Sequence, residues 1–108
     1  MIKVDTTTLS TVVNQCFAYA TDGRVSPDQQ NTFLAEGKRL RGLLMNLSSA
    51  QFDDGTQAVL DANKQLTDVN GELSNSAAAI ANTARTLSDI ASLVGNLDGL
   101  LNVATKFI

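Results

Sequence analysis

The sequence predicts an all-α protein, an antiparallel helical hairpin or bundle of three helices whose last helix is long and coiled-coil-like. Three observations carry this prediction. Apolar residues recur with helical spacing along the chain, the single proline follows a serine at a helix start, and a seven-residue apolar repeat runs through the C-terminal half. The predicted helices cover about residues 6–20, 27–47 and 50–108 within a single domain of 108 residues.

The first helix is predicted from one apolar face. Its members lie at positions i, i+3, i+4, i+7, i+8 and i+11 of one helical face: Leu9, Val12, Val13, Cys16, Phe17 and Ala20. Asp5 or one of the threonines that follow it can accept hydrogen bonds from the free N–H groups of the first turn. Cys16 lies on the apolar face, so we interpret it as a buried structural thiol.

The second helix has the clearest start in the chain. Ser26, Pro27 and Gln29 occupy the N-cap, first and third helical positions of a capping box. Gly37 falls on the inner side, where it allows a close helix approach. The predicted inward side chains are Phe33, Leu34, Leu40, Leu43, Leu44 and Leu47. Ser48 or Ser49 can cap the next helix, although the turn residues around Gly55 offer a later start.

The C-terminal half carries an apolar seam at every seventh residue. Its members are Val59, Leu66, Leu73, Ile80, Leu87, Val94, Leu101 and Ile108. The phase of the repeat does not slip, which favours one continuous helix. Glycines near residues 71–76 and 95–99 offer places for a break, since each costs about 1 kcal/mol in a helix interior. A chain reversal near residues 70–76, giving a compact four-helix bundle, is the alternative.

A continuous third helix has consequences for association. Residues 59–108 would span about 75 Å, whereas the second helix covers about 30 Å, so much of the seam would lack intrachain partners. The predicted contact residues for a second copy or a partner helix are Ile80, Leu87, Ile90, Val94, Leu97, Leu101, Phe107 and Ile108. The competing interpretation places these residues in the core of a folded-back bundle.

Composition argues against several function classes. Histidine is absent and Cys16 is the only cysteine, so the usual zinc spacings and any intrachain Cys-His or Ser-His pair are excluded. The net charge is -3 and there is no long basic run, which argues against nucleic-acid binding. No glycine-rich phosphate loop occurs. We therefore expect a protein without catalytic residues, metal or cofactor.

Two functions fit these observations. The leading hypothesis is a non-enzymatic helical assembly protein, cytoplasmic or exported without a cleaved signal peptide, that forms a homo-oligomer or binds a partner helix. The alternative is a membrane-active or secreted subunit that uses the apolar segment from Leu93 onward. In general appearance the chain is similar to small secreted helical hairpins, including subunits of pore-forming toxins. However, Asp98 and Lys106 interrupt this segment, and its 16 residues are short of the roughly 20 that span a bilayer.

Overall fold

The computed structural model describes residues 1–104 and the backbone of Lys106 and Phe107. This part of the chain is an all-α bundle, as the sequence predicts. Its elements, in chain order, are α1 (Thr6–Tyr19), α2 (Pro27–Leu47), β1 (Ala50–Gln51), α3 (Gln57–Ser74), α4 (Ser76–Ala81), α5 (Thr83–Leu100) and β2 (Lys106–Phe107).

Four of the helices form the walls of the bundle. α1 packs against α2 and α3, and α5 packs against the other side of both α2 and α3. The Tyr19 hydroxyl at the end of α1 donates to the Leu73 carbonyl near the end of α3, so these two helices run parallel. Because each of the two helical hairpins is antiparallel, α2 and α5 are also parallel neighbours. The connection from α2 to α3 therefore crosses one end of the bundle diagonally.

The predicted continuous helix over residues 50–108 is wrong. The chain leaves the helical conformation at Asn75 and again at Asn82, and α5 then returns along α3. Asn96 donates to the Gln65 side chain at 2.8 Å, and Gln65 donates to the Ser92 hydroxyl at 3.3 Å. Folding back buries the apolar side of α5 within one chain, which removes the uncovered overhang that a straight helix leaves.

The observed architecture is the compact alternative, with its reversal at residues 75–82 instead of 70–76. The glycines do not cause it. Gly71 lies within α3, and Gly95 and Gly99 lie within α5. Two asparagines form the bend instead: Asn75 accepts a hydrogen bond from the Ala78 N–H, and Asn82 donates to the Ala78 carbonyl. Asparagine side chains compete with helical backbone bonding in this way.

The helix starts match the predictions in two of three places. Asp5 caps α1 by accepting from the Thr8 N–H at 3.1 Å, and Ser26 caps α2 by accepting from the Gln29 N–H. The start at Ser48 or Ser49 is wrong, and the later alternative, after the turn around Gly55, is the observed one, because α3 begins at Gln57. Gly55, at φ 75°, makes the turn before it, in the left-handed region that favours glycine.

The segment before that turn is extended because both ends of the chain pair with it. Ala50 and Gln51 pair antiparallel with Phe107 and Lys106, and Ile2 bridges to Phe52. Ala50 and Phe52 are fully buried. This short segment therefore closes the end of the bundle at which α1 begins and α5 ends.

The contact between α1 and α2 depends on Gly37. A Cβ atom at this position would lie 3.0 Å from Cε1 of Phe17 and 3.2 Å from Cβ of Cys16. The predicted close approach is thus present. Leu34, predicted to point inward on the same helix, is instead 38% exposed. It lies one residue beyond Phe33, which fills the core and stacks against Tyr19 with ring centroids 5.2 Å apart.

Candidate functional site

The structure places most of the predicted contact residues inside the bundle. Ile90 and Leu97 are fully buried, so neither is open to a partner helix in this state, and Val94 is 8% exposed. Three more are half-buried and pack against the core: Ile80, Leu87 and Leu101. Phe107 is described only as backbone in β2, and Ile108 lies outside the described residues. A surface that could bind a partner therefore involves other residues as well.

One candidate surface is a groove between the parallel helices α2 and α5. Its volume is about 510 Å³, and it is lined by Arg39, Gly42, Leu43, Asn46, Ala91, Val94, Gly95 and Asp98. Leu43 and Val94 form its buried floor. We call this surface the α2–α5 groove. It runs for two helical turns on each wall, about 11 Å at 1.5 Å per residue.

The groove is open at its middle because each wall carries a glycine there. A Cβ atom at Gly42 or at Gly95 would meet no described atom within 4 Å, and Ala91 adds only a methyl group. Since α2 and α5 are parallel, Arg39 lies at one end of the groove and Asp98 at the other. The groove thus combines an apolar floor, open glycines and opposite charges at its two ends.

A second candidate region is the polar seam between α3 and α5. The carboxyl groups of Glu72 in α3 and Asp89 in α5 line the same cavity, with Arg85 and Asp68 nearby. The pKa of Glu72 is raised to about 7. Burial of its carboxyl is the largest cause, and the neighbouring Asp89 carboxyl is the next. Arg85 acts in the opposite direction. Near neutral pH the Glu72 carboxyl is therefore partly protonated.

Two small cavities flank this carboxyl pair. One, of about 320 Å³, continues along α3 and α5 past Gln65 and Ser92. The other, of about 360 Å³, lies under the bend and is lined by residues of all three C-terminal helices, among them Gly71, Asn75 and Asn82. The carboxyl pair is thus adjacent to the point where the chain reverses.

The chemistry of the described residues is limited. Within residues 1–104 no three acidic or cysteine side chains form a metal-binding group. Cys16 is fully buried, and burial, with the negative charge of Glu36, raises the pKa of its thiol to about 12, which makes it a poor nucleophile. None of the described helices has the length and apolar character needed to cross a membrane. The groove and the polar seam remain as the functional candidates.

Sequence reasoning missed both regions. Gly42 and Gly95 are 53 residues apart in the sequence, and only folding brings them to one groove. Glu72 and Asp89 belong to different lines of the seven-residue repeat, so no spacing brings them together.

Comparison of this chain with family models, with curated proteins and with solved structures found no match.

Proposed function

We propose that this protein is a non-enzymatic helix-binding protein, and that it binds a helix of a second copy or of a partner protein in the α2–α5 groove. The observation that carries the proposal is the pair of open glycines, Gly42 and Gly95, on facing walls above the apolar floor of Leu43 and Val94. Glycine walls let the backbone of a third helix approach closely, so that its side chains reach the floor.

The charges of the groove specify the helix that fits. Arg39 and Asp98 lie at opposite ends, about 11 Å apart along the helix axes. A complementary helix carries an acidic residue near the Arg39 end, a basic residue about two turns away, and small or apolar residues between them. Such end charges fix the direction of a bound helix more than they add affinity.

The groove residues can be tested by filling the groove. Gly42→Leu and Gly95→Leu place a side chain where the occupant would lie, and Gly99→Leu is the matched control. Gly99 is also an open glycine of α5 but does not line the groove. The Cβ atom added in each variant has no described neighbour within 4 Å, and circular dichroism of each variant checks that it folds.

The test uses a photo-crosslinking amino acid at position 95, with position 99 as the control, both in the purified protein and in cells that express it naturally. The proposal predicts a crosslink from position 95 to a helical segment with this charge pattern, and loss of that crosslink in Gly42→Leu. Equal crosslinking from positions 95 and 99, or a product unaffected by Gly42→Leu, would contradict it.

A membrane-active role remains the second hypothesis, but no feature of the described residues favours it. The apolar side chains of α5 on which it depends, such as Leu93 and Leu97, are fully buried against the other helices.

A further inference from the structure

The bend between α3 and α5 consists of only two residues that leave the helical conformation. Asn75 has φ -99° and ψ 87°, and Asn82 has φ -124° and ψ 40°. Every other residue from Gln57 to Leu100 is helical. The bend contains neither proline nor glycine, and both asparagines have negative φ values. Rotation at these two residues is therefore enough to join α3, α4 and α5 into one helix of about 66 Å.

Few contacts hold the bend in place. α4 is six residues long, and Ala79 is its only fully buried residue. The bend is otherwise fixed by side-chain hydrogen bonds: Asn75 accepts from the Ala78 N–H at 3.3 Å, Asn82 donates to the Ala78 carbonyl at 3.0 Å, and the Thr83 hydroxyl donates to the Ile80 carbonyl at 2.8 Å. Straightening exchanges these side-chain hydrogen bonds for backbone hydrogen bonds across both interruptions. The local cost of straightening is consequently small.

The seven-residue repeat stays in phase through the bend. Leu73 before it, Ile80 within it and Leu87 after it would lie along one line of a straight helix. Leu73 is buried in the folded-back form, whereas Ile80 and Leu87 are only partly covered. A chain reversal does not require this phase, so the repeat fits a straight form of the same segment.

A straightened chain cannot remain alone, because α5 would lose its partners. Ile90, Leu93 and Leu97 are fully buried against α2 and α3 in the folded-back form. The surface that matches them is the one left empty on a second straightened copy. That surface also offers the same polar partner, Gln65, to Ser92 and Asn96. The occupant that fits is therefore α5 of another copy of this chain.

We propose that two copies of this chain form a dimer by straightening at Asn75 and Asn82 and exchanging α5, so that each α5 packs between α2 and α3 of the other copy. The exchanged segment extends to β2, which then pairs with β1 of the partner copy. Exchange of an identical element is a low-cost route to a dimer, because almost every contact of the monomer is rebuilt. The proposal does not depend on the α2–α5 groove, whose residues are the same in both forms.

Two substitutions act on the bend in opposite directions. Ser76→Pro places proline at the first position of α4, which the bent form tolerates. In a straight helix the same proline removes a backbone hydrogen bond and clashes with the Glu72 carbonyl, so the dimer should decrease on the order of 100-fold. Ser76→Ala is the matched control. Asn75→Ala removes the cap of α4 and should increase the dimer by about fivefold.

The experiment measures the mass of each variant by light scattering after incubation at the highest soluble concentration, with helicity checked on the same samples. A second measurement covers the case in which Ser76→Pro does not fold. Cysteines at positions 65 and 92, joined within one chain by a short bis-maleimide in a Cys16→Ala background, should abolish the dimer because α5 can no longer leave α3.

A mixed dimer, in which the two copies carry different labels, distinguishes domain exchange from simple face-to-face association. One copy carries a spin label at position 65 and the other carries a label at position 96. Exchange predicts a short distance between the two labels, since these side chains are in hydrogen-bond contact across α3 and α5. A strictly monomeric protein, including Asn75→Ala, would overturn the proposal. So would a dimer that survives the intrachain crosslink or shows no short distance between copies.

Discussion

The carboxyl groups of Glu72 in α3 and Asp89 in α5 lie together in the polar seam, beside the point where the chain reverses. Burial of the Glu72 carboxyl, and then its closeness to Asp89, raise the pKa of Glu72 to about 7. We therefore expect the stability of the folded chain to depend on pH in the neutral range.

The sign of this dependence follows from proton uptake. Between about pH 4.5 and pH 7 the folded chain holds a proton on Glu72 that the unfolded chain releases, so stability falls as pH rises through this window. Because the site is partly open to solvent, we expect a loss of only about 1 kcal/mol between pH 5 and pH 8. Urea unfolding at several pH values measures it.

Glu72→Gln is the matched variant for this prediction. Glutamine keeps a hydrogen-bond donor toward Asp89 without a titrating proton, so the variant should lose the decline in stability between pH 5 and pH 8. The carboxyls of Asp5 and Asp22 do not contribute to a change in stability between pH 5 and pH 8. Hydrogen bonds from Thr8 and from Arg24, respectively, lower their pKa values, and their contributions to stability are lost only in more acidic solution. An unchanged pH profile in Glu72→Gln would contradict the assignment.

Gly37→Ala should be less stable than Gly42→Ala. Alanine favours both helix interiors by about 1 kcal/mol, but at position 37 the added methyl group lies 3.0 Å from the Phe17 ring. Overpacking of this kind costs about 1–3 kcal/mol. Thermal unfolding of the two variants measures the difference directly. Equal stabilisation of both would mean that α1 and α2 are farther apart than the structure places them.

Tyr19→Phe should destabilise the fold by about 1–2 kcal/mol. The Tyr19 hydroxyl donates to the Leu73 carbonyl at 2.6 Å, and this carbonyl lies in the last turn of α3, where no helical N–H reaches it. Phenylalanine leaves the buried carbonyl without its donor while keeping the ring contact with Phe33. Urea unfolding compares the variant with the original protein. A change below a few tenths of a kcal/mol would show that the hydrogen bond is replaced by water.

Cys16 should resist thiol reagents in the folded protein. With a pKa of about 12, about one thiol in 10⁴ is ionised at pH 8, and the sulfur is fully buried. Its labelling by a disulfide reagent should therefore follow the rate at which the protein opens. Comparing the labelling rate with and without urea measures this. Immediate labelling without denaturant would contradict the buried position.

The helical class, the two N-terminal helices and their caps could be predicted because they depend on local spacing and on short-range hydrogen bonds. Asp5 and Ser26 cap the helices that the apolar pattern predicts, and Gly37 allows the predicted close approach of the second helix. The reversal could not be predicted in the same way. A repeat without a slip fits both a straight helix and a folded-back pair, since the same apolar residues face a core in either arrangement.

The extended segment around Ala50 and Phe52 lay beyond sequence reasoning for a different reason. Its conformation depends on pairing with Ile2 and with β2, each more than 45 residues away along the chain. Likewise, the α2–α5 groove depends on two glycines, Gly42 and Gly95, that are far apart in the sequence and lie on helices that are neighbours in the fold. Neither feature leaves a pattern in neighbouring residues of the sequence, so both could be identified only from the tertiary structure.

The central claim is that the C-terminal seam is folded back within one chain. Spin labels at positions 65 and 96, in a Cys16→Ala background at low protein concentration, test it most directly by electron–electron distance measurement. The structure predicts a short separation, because Gln65 and Asn96 are hydrogen-bonded at 2.8 Å. A continuous helix would separate these positions by about 46 Å, and a main distance near that value in the monomer would contradict the account.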